Sequence, residues 1–193
     1  MLREAARSAV LFHASNSQNA DLYISVNVKL QQFQQLHFVT LVRDILFDTG
    51  ANPKWIRLEL TESKAATNPS HAARTIRQLN AMGIKVSIDD FGTGYSSLSC
   101  LQMMPFDTIK IDQSFIKKHS YKSADWSFVL AMKNIADSLG NKVIVEGVEN
   151  EFQQTEANIL AETCPPLSES PHRPHMTLGV AQVTYAPLAA LKI

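Results

Sequence analysis

Residues 84–98 read IKVSIDDFGTGYSSL. Ile84, Val86 and Ile88 alternate with Lys85, Ser87 and Asp89, the two-residue period of a strand with one aliphatic and one more polar face. The run ends on an acidic pair, Asp89-Asp90, and passes into Phe91-Gly92-Thr93-Gly94. Its two glycines permit turns that other residues resist, and Ser96 or Ser97 can cap a helix beginning near Leu98. A lone Gly-x-Gly is weak evidence for phosphate binding. After a paired Asp at a strand end it is expected to form an active-site loop.

Four further segments carry the same alternation: Leu22–Asn27, Trp55–Leu60, Thr108–Asp112 and Val143–Glu146. Between them lie helical patterns. Phe38, Leu41, Val42, Ile45 and Leu46 form one stripe, and Ala73, Ile76 and Leu79, with Ala81 or Met82, form a second. Phe128, Ala131, Met132, Ile135 and Leu139 are expected to form a third. Strands alternating with helices, with no hairpin signals, predict parallel strands joined by crossover helices. An open doubly wound sheet needs apolar residues on both strand faces, whereas a barrel lumen tolerates polar groups near its mouth. The expected fold is therefore α/β, an incomplete TIM-type (β/α) barrel with five recognisable βα units.

Composition narrows the class. With 45% hydrophobic residues in 193, the chain has material for a core, and 18 basic residues against 18 acidic ones leave no basic footprint for a nucleic acid polymer. Cys100 and Cys164 make neither a metal-ligand spacing nor a disulfide framework, which fits a reducing compartment. No apolar run reaches the ~20 residues of a membrane span, and the N-terminal MLREAARSAVLF reads as a helix rather than a secretion signal, so a cytoplasmic location is expected. Five of the eight prolines fall in the last 30 residues. The expected division is a partial barrel domain over residues 1–162 and a divergent, poorly specified tail over 163–193. Within that tail Thr177–Tyr185 has a strand-like composition suited to patching a sheet edge.

The polar strand faces end in Asn27, Glu59, Asp89, Lys110 and Glu146, which the barrel topology gathers at one rim. Asn27, Glu59, Asp89, Asp90 and Glu146 are hard oxygen donors without Cys or His, suited to Mg²⁺ or Mn²⁺ rather than zinc. Two such ions ~4 Å apart stabilise the attacking and leaving oxygens of a phosphoryl displacement. Lys110 could orient a water, contact a phosphate or act only as a counter-charge. Single carboxylates at strand ends more often cap helices: Asp112 is as suited to capping the next helix as to chemistry, and Glu62 to favouring a helix start. Five such coincidences at one rim are much less expected than one.

The blocks VN at 26–27, LELTES at 58–63, IDDFGTGYSSLSCL at 88–101, PFDTIKIDQSFI at 105–116 and VEGVEN at 145–150 closely resemble the EAL-domain family. That resemblance, covering roughly residues 3–151, implies a bacterial phosphodiesterase that linearises cyclic di-GMP with two Mg²⁺ or Mn²⁺ ions on a modified TIM barrel. By motif it implies metal ligands at Asn27, Glu59, Asp89 and Asp90, with Asp89 bridging. Lys110 and Glu146 then position and activate the attacking water, and Glu62 steadies the loop containing Phe91, Gly92, Thr93 and Gly94.

The chain also departs from the family pattern. The Glu-Ala-Leu motif is expected upstream of the first helix, and Glu4 in Glu-Ala-Ala lies too far along to replace its metal-binding glutamate. The family's Gln-Gly segment is not found after residue 151. Five strands cannot close a barrel, so Leu22–Asn27 and Val143–Glu146 are expected as exposed edges, inviting a homodimer or a partner protein. Two functions follow: a cyclic di-GMP phosphodiesterase whose turnover is weak or lost, or a non-catalytic EAL-like regulator that binds cyclic di-GMP or a protein.

Overall fold

The computed structural model describes residues 1–15, 22–62, 68–93, 98–117, 126–162 and 176–178. Helix α1 (Leu2–Ser15) precedes β1 (Ile24–Asn27), followed by α2 (Leu30–Phe33), α3 (Phe38–Thr49) and β2 (Ile56–Thr61). Then come α4 (Pro69–Ala81), β3 (Lys85–Phe91), α5 (Leu98–Met103), β4 (Thr108–Ile111) and α6 (Ser114–Lys117). Helix α7 (Trp126–Ser138), β5 (Lys142–Val145), α8 (Glu151–Glu162) and β6 (Met176–Leu178) complete the series. The strands form one sheet in the order β1-β2-β3-β4-β5-β6 with every pairing parallel, an open arc of a TIM-type α/β barrel.

Local sequence explains where the elements begin and end. Asn68 accepts the amide of His71 in its side chain and is followed by Pro69, whose missing N–H costs a helix start nothing. At the other end of a helix, Gly50 takes a left-handed φ of 70° after α3 and donates its amide to Phe47 O. The tight joint between α3 and β2 is a 3₁₀ turn, Pro53–Trp55, whose entry Asn52 caps by accepting from the Lys54 amide.

The aliphatic strand faces make the core as expected. Ile56, Leu58, Leu60, Val86, Ile88, Ile109, Ile111, Val143 and Val145 are buried against a helix layer that supplies Val42, Ile76, Leu79 and Val129. The polar faces turn out to be buried as well: Arg57, Glu59, Ser87, Asp89, Thr108 and Lys110 fill the concave side of the arc. With water excluded from this central part of the concave face, these polar groups satisfy one another, while Asn27 and Lys85 at its margins stay exposed.

Three expectations shift. In α7 the buried residues are Trp126, Val129, Met132, Lys133 and Ala136, while Phe128 and Ala131 face outward. The helix is apolar nearly all round, so periodicity alone does not choose its inner face. Leu41 is exposed although the rest of its stripe is buried; Leu22, just before β1, is exposed and Ile24 half-buried, leaving Val26 as the buried residue of that face. At the edge after β5, Met176–Leu178 pairs in register with Val143–Val145, so that edge is covered. The rest of the 177–185 stretch, like Gly94, Ser96 and Ser97, lies outside the described residues.

Candidate active site

The strand register sets the layers of the site. Asn27 of β1 lies beside Glu59 of β2, and Thr61 beside Asp89 of β3. Between β3 and β4 the ladder pairs Ile88 with Ile109 but Phe91 with Ile111, so β3 carries one extra residue across Asp89-Asp90. Asp90 takes up that bulge with a φ of 55°, the one positive φ on a non-glycine among the described residues. Asp tolerates the left-handed region better than most residues, and a bulge re-aims the side chains beside it.

At the centre is Lys110 of β4, which is 2% exposed. Its Nζ lies 3.1 Å from Glu59 Oε1, 2.9 Å from Asp89 Oδ1 and 2.8 Å from Glu146 Oε1. Three of the predicted rim carboxylates, brought by β2, β3 and the residue after β5, therefore meet on one ammonium. Burial opposes the charge of Lys110, but its hydrogen bonds to Glu146 and Asp89 and the charge of Glu59 prevail and push its pKa above the ordinary lysine value. Glu146 moves up as well. Burial is the main cause; Lys110 pulls the other way, and the charges of Asp89 and Glu59 add to the rise.

The remaining predicted residues are disposed around this centre. Asn27 is exposed at the end of β1, and Asp90 is half-buried on the bulge. Buried Glu62, just after β2, accepts the Gly92 amide at 2.9 Å and so ties the end of β2 to the turn after β3. Phe91 is buried; Thr93 is exposed, its hydroxyl donating to Asp90 O at 2.7 Å. Gly92 has a φ of 97°, and a Cβ there would lie 2.8 Å from the Phe115 ring. Asp112 takes the capping role, accepting the Ser114 amide at 2.9 Å.

Two supports were not read from the sequence. Gly147, next to Glu146, runs so close to Gln113 that a Cβ would meet its side chain at 2.5 Å. Gln153 accepts the amides of Glu149 and Asn150 and donates its own amide to Asn150 Oδ1. The Asn-x-x-Gln spacing of 150–153 is a capping-box signal that would have revealed this second support. Together they fix the chain that carries Glu146 toward Lys110.

Among the described residues, no group of three or more His, Cys, Asp and Glu side chains stands ready to hold a metal ion; the carboxylates are drawn onto Lys110 instead. The chemistry of the donor set nevertheless fits a hard divalent cation. It is all oxygen: buried Glu59 and Asp89 and half-buried Glu146 bring three carboxylates to one point.

A parallel barrel arc with an acid- and lysine-bearing rim at the strand C-termini is the architecture of TIM-type α/β domains that place their chemistry at that rim. Within that class the assignment is specific: residues 1–160 match the family described as EAL domain, and the chain belongs to it. It is 39% identical over 154 residues to the bifunctional diguanylate cyclase/cyclic di-GMP phosphodiesterase MucR of Pseudomonas aeruginosa, covering 80% of this chain and 22% of MucR. An uncharacterized signaling protein of Caulobacter vibrioides is 41% identical over 132 residues, covering 68% of this chain and 16% of that protein. The chain thus spans about a fifth of the length of these relatives.

Among solved structures, the PaMucR phosphodiesterase in complex with c-di-GMP aligns with a TM-score of 0.76 and 38% identity over 82% of this chain and 64% of that one. The EAL domain of Mycobacterium smegmatis DcpA aligns with a TM-score of 0.74 and 32% identity, covering 82% and 71%. No helix among the described residues is long and apolar enough to cross a membrane.

Proposed function

We propose that this chain binds cyclic di-GMP at the Lys110 rim and hydrolyses one of its phosphodiester bonds. The observation that carries the proposal is the meeting of Glu59, Asp89 and Glu146 on Lys110, in a chain of the same family as MucR. Glu59 and Asp89, with Asn27 and Asp90 beside them on β1 and β3, are the residues that would hold Mg²⁺ or Mn²⁺. Bound there, a divalent pair supplies Lewis-acid stabilisation of the charge that builds on the phosphoryl oxygens.

The chain's own groups do the rest. Glu146 Oε1, its pKa raised by burial, is suited to accept a proton from a water molecule attacking phosphorus. Lys110 Nζ, 2.8 Å away, orients that carboxylate and favours its ionised form. In the reaction the water oxygen joins phosphorus and its proton passes to Glu146, one phosphorus–ribose oxygen bond breaks, and the freed ribose oxygen takes up a proton, releasing a linear dinucleotide with one terminal phosphate and one new ribose hydroxyl. The Glu62 contact to Gly92 steadies the turn beside the acidic pair.

The test is chromatography of cyclic di-GMP incubated with the purified chain and Mn²⁺. Linear dinucleotide is expected, with Glu146→Gln slower by about 10² or more. A second reading, binding without turnover, is favoured by Lys110 Nζ holding Glu59 and Asp89, the two carboxylates assigned to the metal. Calorimetric nucleotide binding with no linear product would select that reading, and neither heat nor product would remove both.

A further inference from the structure

Lys110 does more than flank the acidic rim: it takes up the oxygens that a cation needs. An ammonium carries three donors, and a different carboxylate lies within ion-pair distance on each of three sides, at 3.1, 2.9 and 2.8 Å. Two of these partners, Glu59 and Asp89, are the side chains to which metal binding is assigned above. The lysine cannot withdraw into water, because it is buried in the middle of β4, between Ile109 and Ile111, both fully buried. Nor is its presence incidental to folding, since three clustered carboxylates without a counter-charge repel one another.

We infer that Lys110 is a built-in counter-cation that competes with the divalent metal for Glu59 and Asp89. Metal loading is then an exchange: the ammonium releases at least one of these two carboxylates and shifts toward Glu146 as the divalent ion takes its place. The inference rests on the metal-binding reading above and adds a regulatory consequence to it. The competition sets the cation concentration at which the site loads, and it holds the rim together at lower concentrations. A neutral side chain at position 110 would bind metal tightly and leave the unloaded rim unstable.

The experiment titrates Mg²⁺ by calorimetry into the full chain, Lys110→Met and Lys110→Arg, and follows thermal unfolding with chelator and with saturating Mg²⁺. Lys110→Met is expected to bind Mg²⁺ roughly tenfold or more tightly than the unsubstituted chain, because a +1 charge a few ångströms from the ion is gone. Its Tm falls below that of the unsubstituted chain in chelator, and Mg²⁺ closes the gap. Lys110→Arg, which keeps the charge, stays near the original affinity. Equal affinity in Lys110→Met with an undiminished Tm gap overturns the competition and leaves the metal site standing. No Mg²⁺ heat in any of the three chains overturns both.

Should Lys110→Met not fold, the unsubstituted chain still decides. With ¹⁵N-labelled lysine, the Lys110 ammonium resonance must shift with the same Mg²⁺ midpoint as the heat. A resonance that stays fixed while Mg²⁺ binds overturns the inference.

Discussion

Arg57 and Asp107 lie at the end of the sheet away from Lys110, and their pairing is structural. The guanidinium is 3.1 Å from Asp107 Oδ2, donates to Thr108 Oγ1 at 3.1 Å and sits 4.1 Å above the Tyr23 ring. Asp107 is also reached by Lys85 at 3.2 Å. Burial alone would raise the Asp107 pKa, but Arg57, Thr108 and Lys85 together bring it below the ordinary value. Arg57→Ala removes one of the two cations on half-buried Asp107 together with the contact to Tyr23, while Lys85 stays paired, and is expected to cost about 1–3 kcal/mol in urea unfolding.

The same groups set the pH profile. Asp107, with its lowered pKa, contributes stability above the ordinary carboxylate range and loses it as pH falls through the folded value. Lys110, with its raised pKa, contributes fully below the ordinary lysine value and loses that contribution as pH rises through the folded one. Glu146 runs against Asp107: its raised pKa favours the fold below the ordinary glutamate range, and that contribution fades as pH climbs through the folded value. Urea midpoints measured across pH should therefore fall on a strongly alkaline limb in the original chain. In Lys110→Met that limb should flatten. Glu59, Asp89, Lys110 and Glu146 were all legible as rim residues, because alternation fixes which strand face each occupies. Their convergence on one ammonium was not, since side-chain reach depends on how the strands splay.

At the scale of elements, the loop after β5 has the clearest test. Gln153→Ala removes the acceptor for the Glu149 and Asn150 amides, and a lost cap of this kind costs about 1 kcal/mol, visible as a lower Tm. Because this loop carries Glu146, turnover should fall by more than the stability loss explains, and Gln153→Glu, which keeps an acceptor, should restore part of it. The five expected strands are found within one or two residues of their bounds, since period-two alternation bounded by turns is a local signal. The bulge at Asp90 and the inner face of α7 were not legible. A bulge exists only relative to the neighbouring strand, and a helix apolar on most sides takes its orientation from what packs against it.

For the whole molecule, a ligand that binds only the folded chain must stabilise it. If cyclic di-GMP occupies the rim, about 100-fold excess over its Kd adds ~2.7 kcal/mol and should raise Tm by roughly 5–10 °C, measured by scanning calorimetry with the nucleotide and Mg²⁺ or Ca²⁺. An unchanged Tm would count against nucleotide binding. The order of strands and helices, the parallel sheet and the identity of the rim residues were set by the sequence alone, because periodicity, capping residues and turn chemistry act over a few neighbours. Only the tertiary structure decided that β6 covers the edge of β5, that the polar groups of β2, β3 and β4 on the concave side are buried, and that three carboxylates share Lys110. Those outcomes depend on distances between residues up to 87 positions apart, from Glu59 to Glu146, which are fixed only when the sheet curves and its layers close.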